Sequence, residues 1–179
     1  MKILIAADDR EYAKAIASTL TAQNYSGDLH FKVLNVVEPM AFRGLGGQTA
    51  EDGESGFGQG LLSHDLVTSI EEERERKARS IVLDIGTALR IKYPKALIEE
   101  AVVEDLDARK KIIDICNDWQ ADLVVMGSHG RSGLEKLFLG SVSLAVLAHV
   151  HCSVLVVKLP KPCLEDQAKL AEKPRSVKV

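Results

Sequence analysis

The chain has 179 residues, of which 46% are hydrophobic and 27% charged, enough for one well-buried core and ordinary for a globular protein. A formal net charge of −3 supplies no field that would draw the protein onto nucleic acid or an anionic membrane, and no apolar run approaches the ~20 residues that cross a bilayer. The first apolar stretch, KILIAA, is too short for a signal-peptide core. Cys116, Cys152 and Cys163 make no CxxC pair and no disulfide framework, so a reducing, cytoplasmic compartment is expected.

Ile3-Leu4-Ile5-Ala6-Ala7 is a continuous apolar run, the pattern of a central parallel strand covered on both faces. It stops at Asp8-Asp9, and Tyr12, Ile16, Ala17 and Leu20 then recur at helical spacing. A carboxylate at the end of a first parallel strand lies where doubly wound sheets take ligands. N-capping the first helix also accounts for one of the two aspartates. Phe31 to Val37 is a second strand, closed by Glu38-Pro39 because proline cannot donate to a ladder.

From Met40 to Gly60 the chain carries seven glycines and little periodicity, the composition of a loop. It lacks the GxxxxGK[ST] order of a P-loop. A loop this long beside a strand end is expected to act as a lid or partner-binding flap, so that deleting Arg43 to Gly58 would change the affinity or off-rate of a ligand bound at that strand end. Leu62 to Lys92 reads as a long helix, with a core stripe of Leu66, Ile70, Ala78, Ile81, Ile85, Ala88 and Leu89. Its EEERERK run is a solvated face able to form i,i+4 pairs, Gly86 weakens its interior, and Tyr93-Pro94 ends it.

Ala96 to Val103 is a third strand, interrupted by Glu99 and Glu100 as suits a sheet edge. Ala108 to Trp119 forms the next helix, with Ile112, Ile113, Ile115, Cys116 and Trp119 inward. Ala121 to Met126 is the fourth strand, Val142 to Val150 a helix, and Ser153 to Val157 the fifth strand. After Lys158 the chain is polar and proline-bearing, and residues 160–179 read as a disordered tail behind a single domain over residues 1–159. Strands and helices thus alternate through the chain, which predicts an open, doubly wound α/β fold with a five-stranded parallel sheet of Rossmann-like type.

The fourth strand runs into GSHGRSGLEKLFLGSVS, with glycines at Gly127, Gly130, Gly133 and Gly140 and Ser141 after the last. Bare amides and a following helix N-terminus form an anion site, and Ser141 suits the N-cap. Closing tight turns is the other use such glycines have. His129 and Arg131 lie in this loop and can place charge near phosphate, or stand as exposed turn residues. His149-x-His151-Cys152 falls on a helix-to-strand boundary, where side chains need not converge on a metal.

The spacing Gly127-x2-Gly130-x9-Gly140-Ser141, with VVMGSHG before it, LGSVS within it and CSVLVV as closing strand, resembles the signature of the universal stress protein family in its ATP-binding branch. The likeness runs from Met1 to about Leu159, with a divergent stretch in the middle. It implies an adenine nucleotide alpha hydrolase-like sheet of order 3-2-1-4-5. Asp8 matches the family aspartate that contacts adenosine, and the backbone near Val36 lies against adenine. The implied nucleotide-binding set is Ala6, Asp8, Val36, Met126, Gly127, His129, Gly130, Arg131, Gly140, Ser141, Val142 and Ser143. The ligand is ATP, or ADP or AMP, with Mg²⁺ bridging its phosphates and a hydroxyl such as Ser141 or Ser143 assisting. The sequence departs from many relatives at Asp9-Arg10, where they carry Gly-Ser, and at Leu106, where they carry glycine.

Relatives commonly dimerise through the last strand, so a homodimer built on Ser153 to Val157 is expected. No GxSxG elbow and no P-loop lysine appear. The expected function is a nucleotide-dependent stress-response or signalling module, with no catalytic residues, acting on an unidentified protein partner. A slow ATP hydrolase or nucleotide transferase on the same scaffold is the alternative, and a partner-binder with an empty crevice is the third.

Overall fold

The computed structural model describes residues 1–39, 64–128 and 139–159. The Gly-rich loop at 40–60, the tail at 160–179 with Cys163, and the loop residues His129, Gly130 and Arg131 lie outside the described residues. The elements are β1 (Lys2–Ala6), α1 (Arg10–Ala22), β2 (His30–Val37), α2 (His64–Lys92), β3 (Leu97–Glu104), α3 (Ala108–Trp119), β4 (Leu123–Gly127), α4 (Ser141–His149) and β5 (Ser153–Val157). All five strands are parallel, in the order β3-β2-β1-β4-β5. The expected fold class and strand order are therefore the observed ones.

Side chains of successive strand residues point to opposite faces, and the core divides accordingly. On one face Ile3, Ile5, Phe31, Val33 and Val125 pack with Ile16 and Leu20 of α1 and Ile81, Ile85 and Leu89 of α2. On the other, Leu4, Leu34, Val124 and Met126 pack with Ile112 and Cys116 of α3 and Val146 of α4. β1 lies between two neighbours with Ile3, Leu4 and Ile5 fully buried, which is why it is apolar without a break from Ile3 to Ala6.

The edge strands carry a different signature. In β3, Glu99 accepts from Nε2 of His30 at 2.6 Å and pairs with Lys32 at 3.0 Å, and the bond from Lys32 holds its carboxyl below the usual carboxylate range. Glu100 reaches across to Nη1 of Arg90 at 2.6 Å. Its carboxylate occupies the space a Cβ would need at Gly86, so this mid-helix glycine makes room for an ion pair. Where α2 extends past the core, Arg76 pairs with Glu73 and Arg79 with Glu75, the spacing that supports an exposed helix. The helix ends at Lys92, and the hydroxyl of the next residue, Tyr93, donates to the carbonyls of Leu20 and Gln23 at the end of α1.

Helix α3 is bounded tightly. Asp107 is its N-cap, accepting from the backbone N–H of Arg109 at 2.9 Å and from that residue's guanidinium. At the other end Gln120 adopts the left-handed conformation at φ 53°. Its N–H bonds to the Asn117 carbonyl and that of Ala121 to the Cys116 carbonyl, the Schellman pattern that normally selects glycine.

Candidate functional site

The C-terminal ends of β1 and β4 lie side by side, with Ala6 opposite Met126 in register. Ala6 also pairs with Leu34 of β2, and the Ala7 N–H donates to the Leu34 carbonyl at 3.1 Å. The chain then turns through Asp8, which is half-buried. Capping of α1 falls to Asp9, which accepts from the backbone N–H of Glu11 at 2.7 Å and of Tyr12 at 3.4 Å. Val36 stands one strand further out, half-buried in β2 and in register with Val103.

Asn35, next to Val36 in β2, also shapes this turn. It is buried, and its Nδ2 donates to the Ala7 carbonyl at 2.7 Å. The amide thus fixes the turn that presents Asp8. Among the described residues its buried Oδ1 has no hydrogen-bond partner, a costly arrangement for a polar atom. One polar residue at an inward position of the apolar run FKVLNVV was the available signal.

Beyond β4 the chain leaves and returns to one place. The Gly140 N–H donates to the Ser128 carbonyl at 2.8 Å, and the Ser128 N–H donates to Val157 at 2.9 Å. The Ser143 hydroxyl donates to the Gly127 carbonyl at 2.7 Å. These bonds dock the start of α4 against the end of β4. Among the described members of the implied set, Ala6, Met126, Gly127, Gly140, Ser141, Val142 and Ser143 are brought to this corner, with Asp8 beside it. His129, Gly130 and Arg131 fall outside the described residues.

Two details differ from expectation. The N-cap of α4 is Gly140, at φ −61° and ψ 158°, and Ser141 is the first helical residue, exposed. Glycine has no side chain to cap with, and no side-chain hydrogen bond caps this end. The first amides of an α-helix have no partner inside the helix, and among the described residues no side chain caps those of α4. The Ser143 hydroxyl, a suggested aid to a cation, is buried and gives its proton to Gly127.

Gly127 has a packing reason of its own. A Cβ there would lie 2.6 Å from Cδ1 of Tyr12, and the Tyr12 hydroxyl lies 3.1 Å from the Ser128 hydroxyl. The first turn of α1 therefore grips the end of β4. Nothing in the sequence pairs Tyr12 with residues so far along the chain.

His149 uses Nδ1 on the Ala145 carbonyl of its own helix at 2.8 Å. Among the described residues no group of three or more His, Cys, Asp or Glu could hold a metal ion. A separate depression of about 140 Å³ at the ends of β2 and β3 is lined by Glu38, Glu71, Glu75 and Glu104 with Arg74. Its carboxylates repel rather than attract a polyphosphate.

The model of the universal stress protein family matches residues 1–158. The universal stress protein Sll1388 of Synechocystis sp. is 32% identical over 164 residues, covering 88% of this chain and 97% of that one. Among solved structures, the hypothetical protein MJ0577 superposes with a TM-score of 0.69 at 20% identity, over 90% of this chain and 97% of that one. A universal stress protein family protein from Arabidopsis thaliana, solved with AMP bound, superposes with a TM-score of 0.56 at 14% identity, over 89% and 92%. With the family model spanning nearly the whole described fold and a full-length relative at this identity, the chain belongs to the universal stress protein family.

Proposed function

We propose that this chain binds an adenine nucleotide at the corner formed by β1, β4 and the N-terminus of α4, and works as an ATP-dependent stress-response or signalling module. The observation that carries the reading is the pair of bonds from Gly140 to Ser128 and from Ser143 to Gly127. Together they hold an uncapped helix N-terminus at the mouth between two parallel strands, the place and polarity that suit a phosphate. The presence of AMP in a family member of the same fold supports the adenine part of the reading.

In this reading Ala6, Asp8 and the Val36 backbone hold the adenosine. Met126, Gly127, Gly130 and the Gly140-Ser141-Val142-Ser143 turn face the phosphates, with His129 and Arg131 adding charge. Mg²⁺, when bound, would offset phosphate charge and be held mainly by the nucleotide. We further propose a homodimer through β5 and a cytoplasmic location. No helix among the described residues is long and apolar enough to cross a membrane.

A slow ATP hydrolase or nucleotide transferase on the same scaffold is the competing reading. Purified protein separates the two: the module binds ATP tightly with negligible release of phosphate, whereas rapid metal-dependent turnover would make it an enzyme.

A further inference from the structure

Cys116 and Cys152 come from opposite ends of the last third of the fold, yet their sulfurs lie 3.6 Å apart. Cys116 sits near the end of α3 and is only 2% exposed. Cys152 lies in the turn between α4 and β5 and is half-buried. Both are held by backbone. The Cys116 carbonyl accepts the Schellman bond from Ala121, and Ser153, next to Cys152, donates to the Asp122 carbonyl at 3.3 Å. Neither sulfur has a role in the nucleotide corner. β5 starts with Ser153 in register with Leu123, so the pair lies at the N-terminal ends of the strands, the pole opposite Gly127.

We propose that Cys116 and Cys152 are a covalent modification site, a dithiol that a hydroperoxide converts to a reversible intramolecular disulfide. The sulfurs must close by about 1.5 Å to reach bonding distance, and Cys152 is the less buried of the two. Burial and the neighbouring sulfur push the Cys116 thiol up, which makes it the less ready of the two sulfurs to meet an oxidant as a thiolate. The more accessible Cys152 is the sulfur that meets the oxidant.

Its thiolate attacks one peroxide oxygen, breaking the O–O bond. This gives a sulfenic acid on Cys152 and an alkoxide or hydroxide that takes a proton. The Cys116 sulfur then attacks the Cys152 sulfur. The S–O bond breaks, the Cys116 proton leaves with the hydroxyl as water, and the S–S bond forms. Two thiols lose two electrons and two protons, and one peroxide becomes two molecules of water or one each of water and alcohol. A low-molecular-weight dithiol reverses the bond by exchange.

The test uses the full chain carrying Cys163→Ser, reduced and then treated with one equivalent of hydrogen peroxide. Remaining thiols are alkylated, and intact mass and a non-reducing peptide map are read. The expected result is joint loss of both thiols, a single peptide pair linking residues 116 and 152, and full return of two alkylatable thiols after dithiothreitol. The Cys152→Ser chain is expected to lose no Cys116 thiol under the same treatment. The proposal is overturned by a Cys152 sulfinic acid with Cys116 still free, by two thiols unchanged in the folded protein, or by wild-type protein in which Cys163 is the partner in the disulfide.

Discussion

Gly127 shows how a glycine in a binding signature can be demanded by packing alone. Gly127→Ala drives its new methyl into the Tyr12 ring, and the clash outweighs the gain from a stiffer unfolded chain. We expect a loss of about 1–2 kcal/mol, read as a Tm lower by about 3–6 °C. Tyr12→Ala should remove most of that added cost, which a double-mutant cycle would display as coupling of about 1 kcal/mol; strict additivity would deny the contact. Asp107 gives a second residue-level prediction, with a sign fixed by its ion pair. Hydrogen bonds from the Arg109 side chain hold its carboxyl down to about 2. A carboxyl whose folded value lies below its unfolded one contributes stability in full above about pH 4 and loses it as the pH falls toward 2. Asp107→Ala should therefore cost about 1 kcal/mol at neutral pH through the lost cap. In urea melts its gap to wild type should narrow between pH 4 and pH 2, and a gap that is constant with pH would contradict this.

At the scale of elements, α3 ends on an unusual residue. Gln120 holds φ 53°, a conformation costing a residue with a Cβ about 1–2 kcal/mol. Gln120→Gly should raise stability by about 0.5–1 kcal/mol once glycine's greater unfolded freedom is deducted, measured by chemical denaturation. A loss would mean the left-handed turn is not kept in solution. The strands and helices were largely legible because burial imposes their periods. β5 and α3 coincide with expectation, and the interrupted Glu99-Glu100 strand is at the sheet edge. The identity of the N-cap of α4 was not legible. Ser141 has the better capping chemistry, but the Gly140 bond to Ser128 sets where the helix starts. The roles of Tyr12, Asn35 and the Cys116–Cys152 pair were equally hidden, since each depends on a contact between residues distant in the chain.

Over the whole molecule, the sheet order puts the apolar strand β5 at an edge, with one side unpaired among the described residues, and that side is the surface offered for the proposed homodimer. Val154→Lys with Val156→Lys should shift the protein from dimer to monomer by light scattering at micromolar concentration while leaving its circular dichroism unchanged. A wild-type monomer under those conditions would remove the dimer from the account. The same order brings β1, β4 and the start of α4 to one corner, where Gly140 sits 2.8 Å from Ser128 through its N–H. Titration calorimetry of ATP with Mg²⁺ into the wild-type and Gly140→Glu proteins tests that corner most directly. The account predicts saturable heat for wild type and a loss of about 100-fold or more in affinity for Gly140→Glu, whose carboxylate would stand against phosphate while the fold persists. No heat with any adenylate on wild type, or equal affinity in the two proteins, would contradict it.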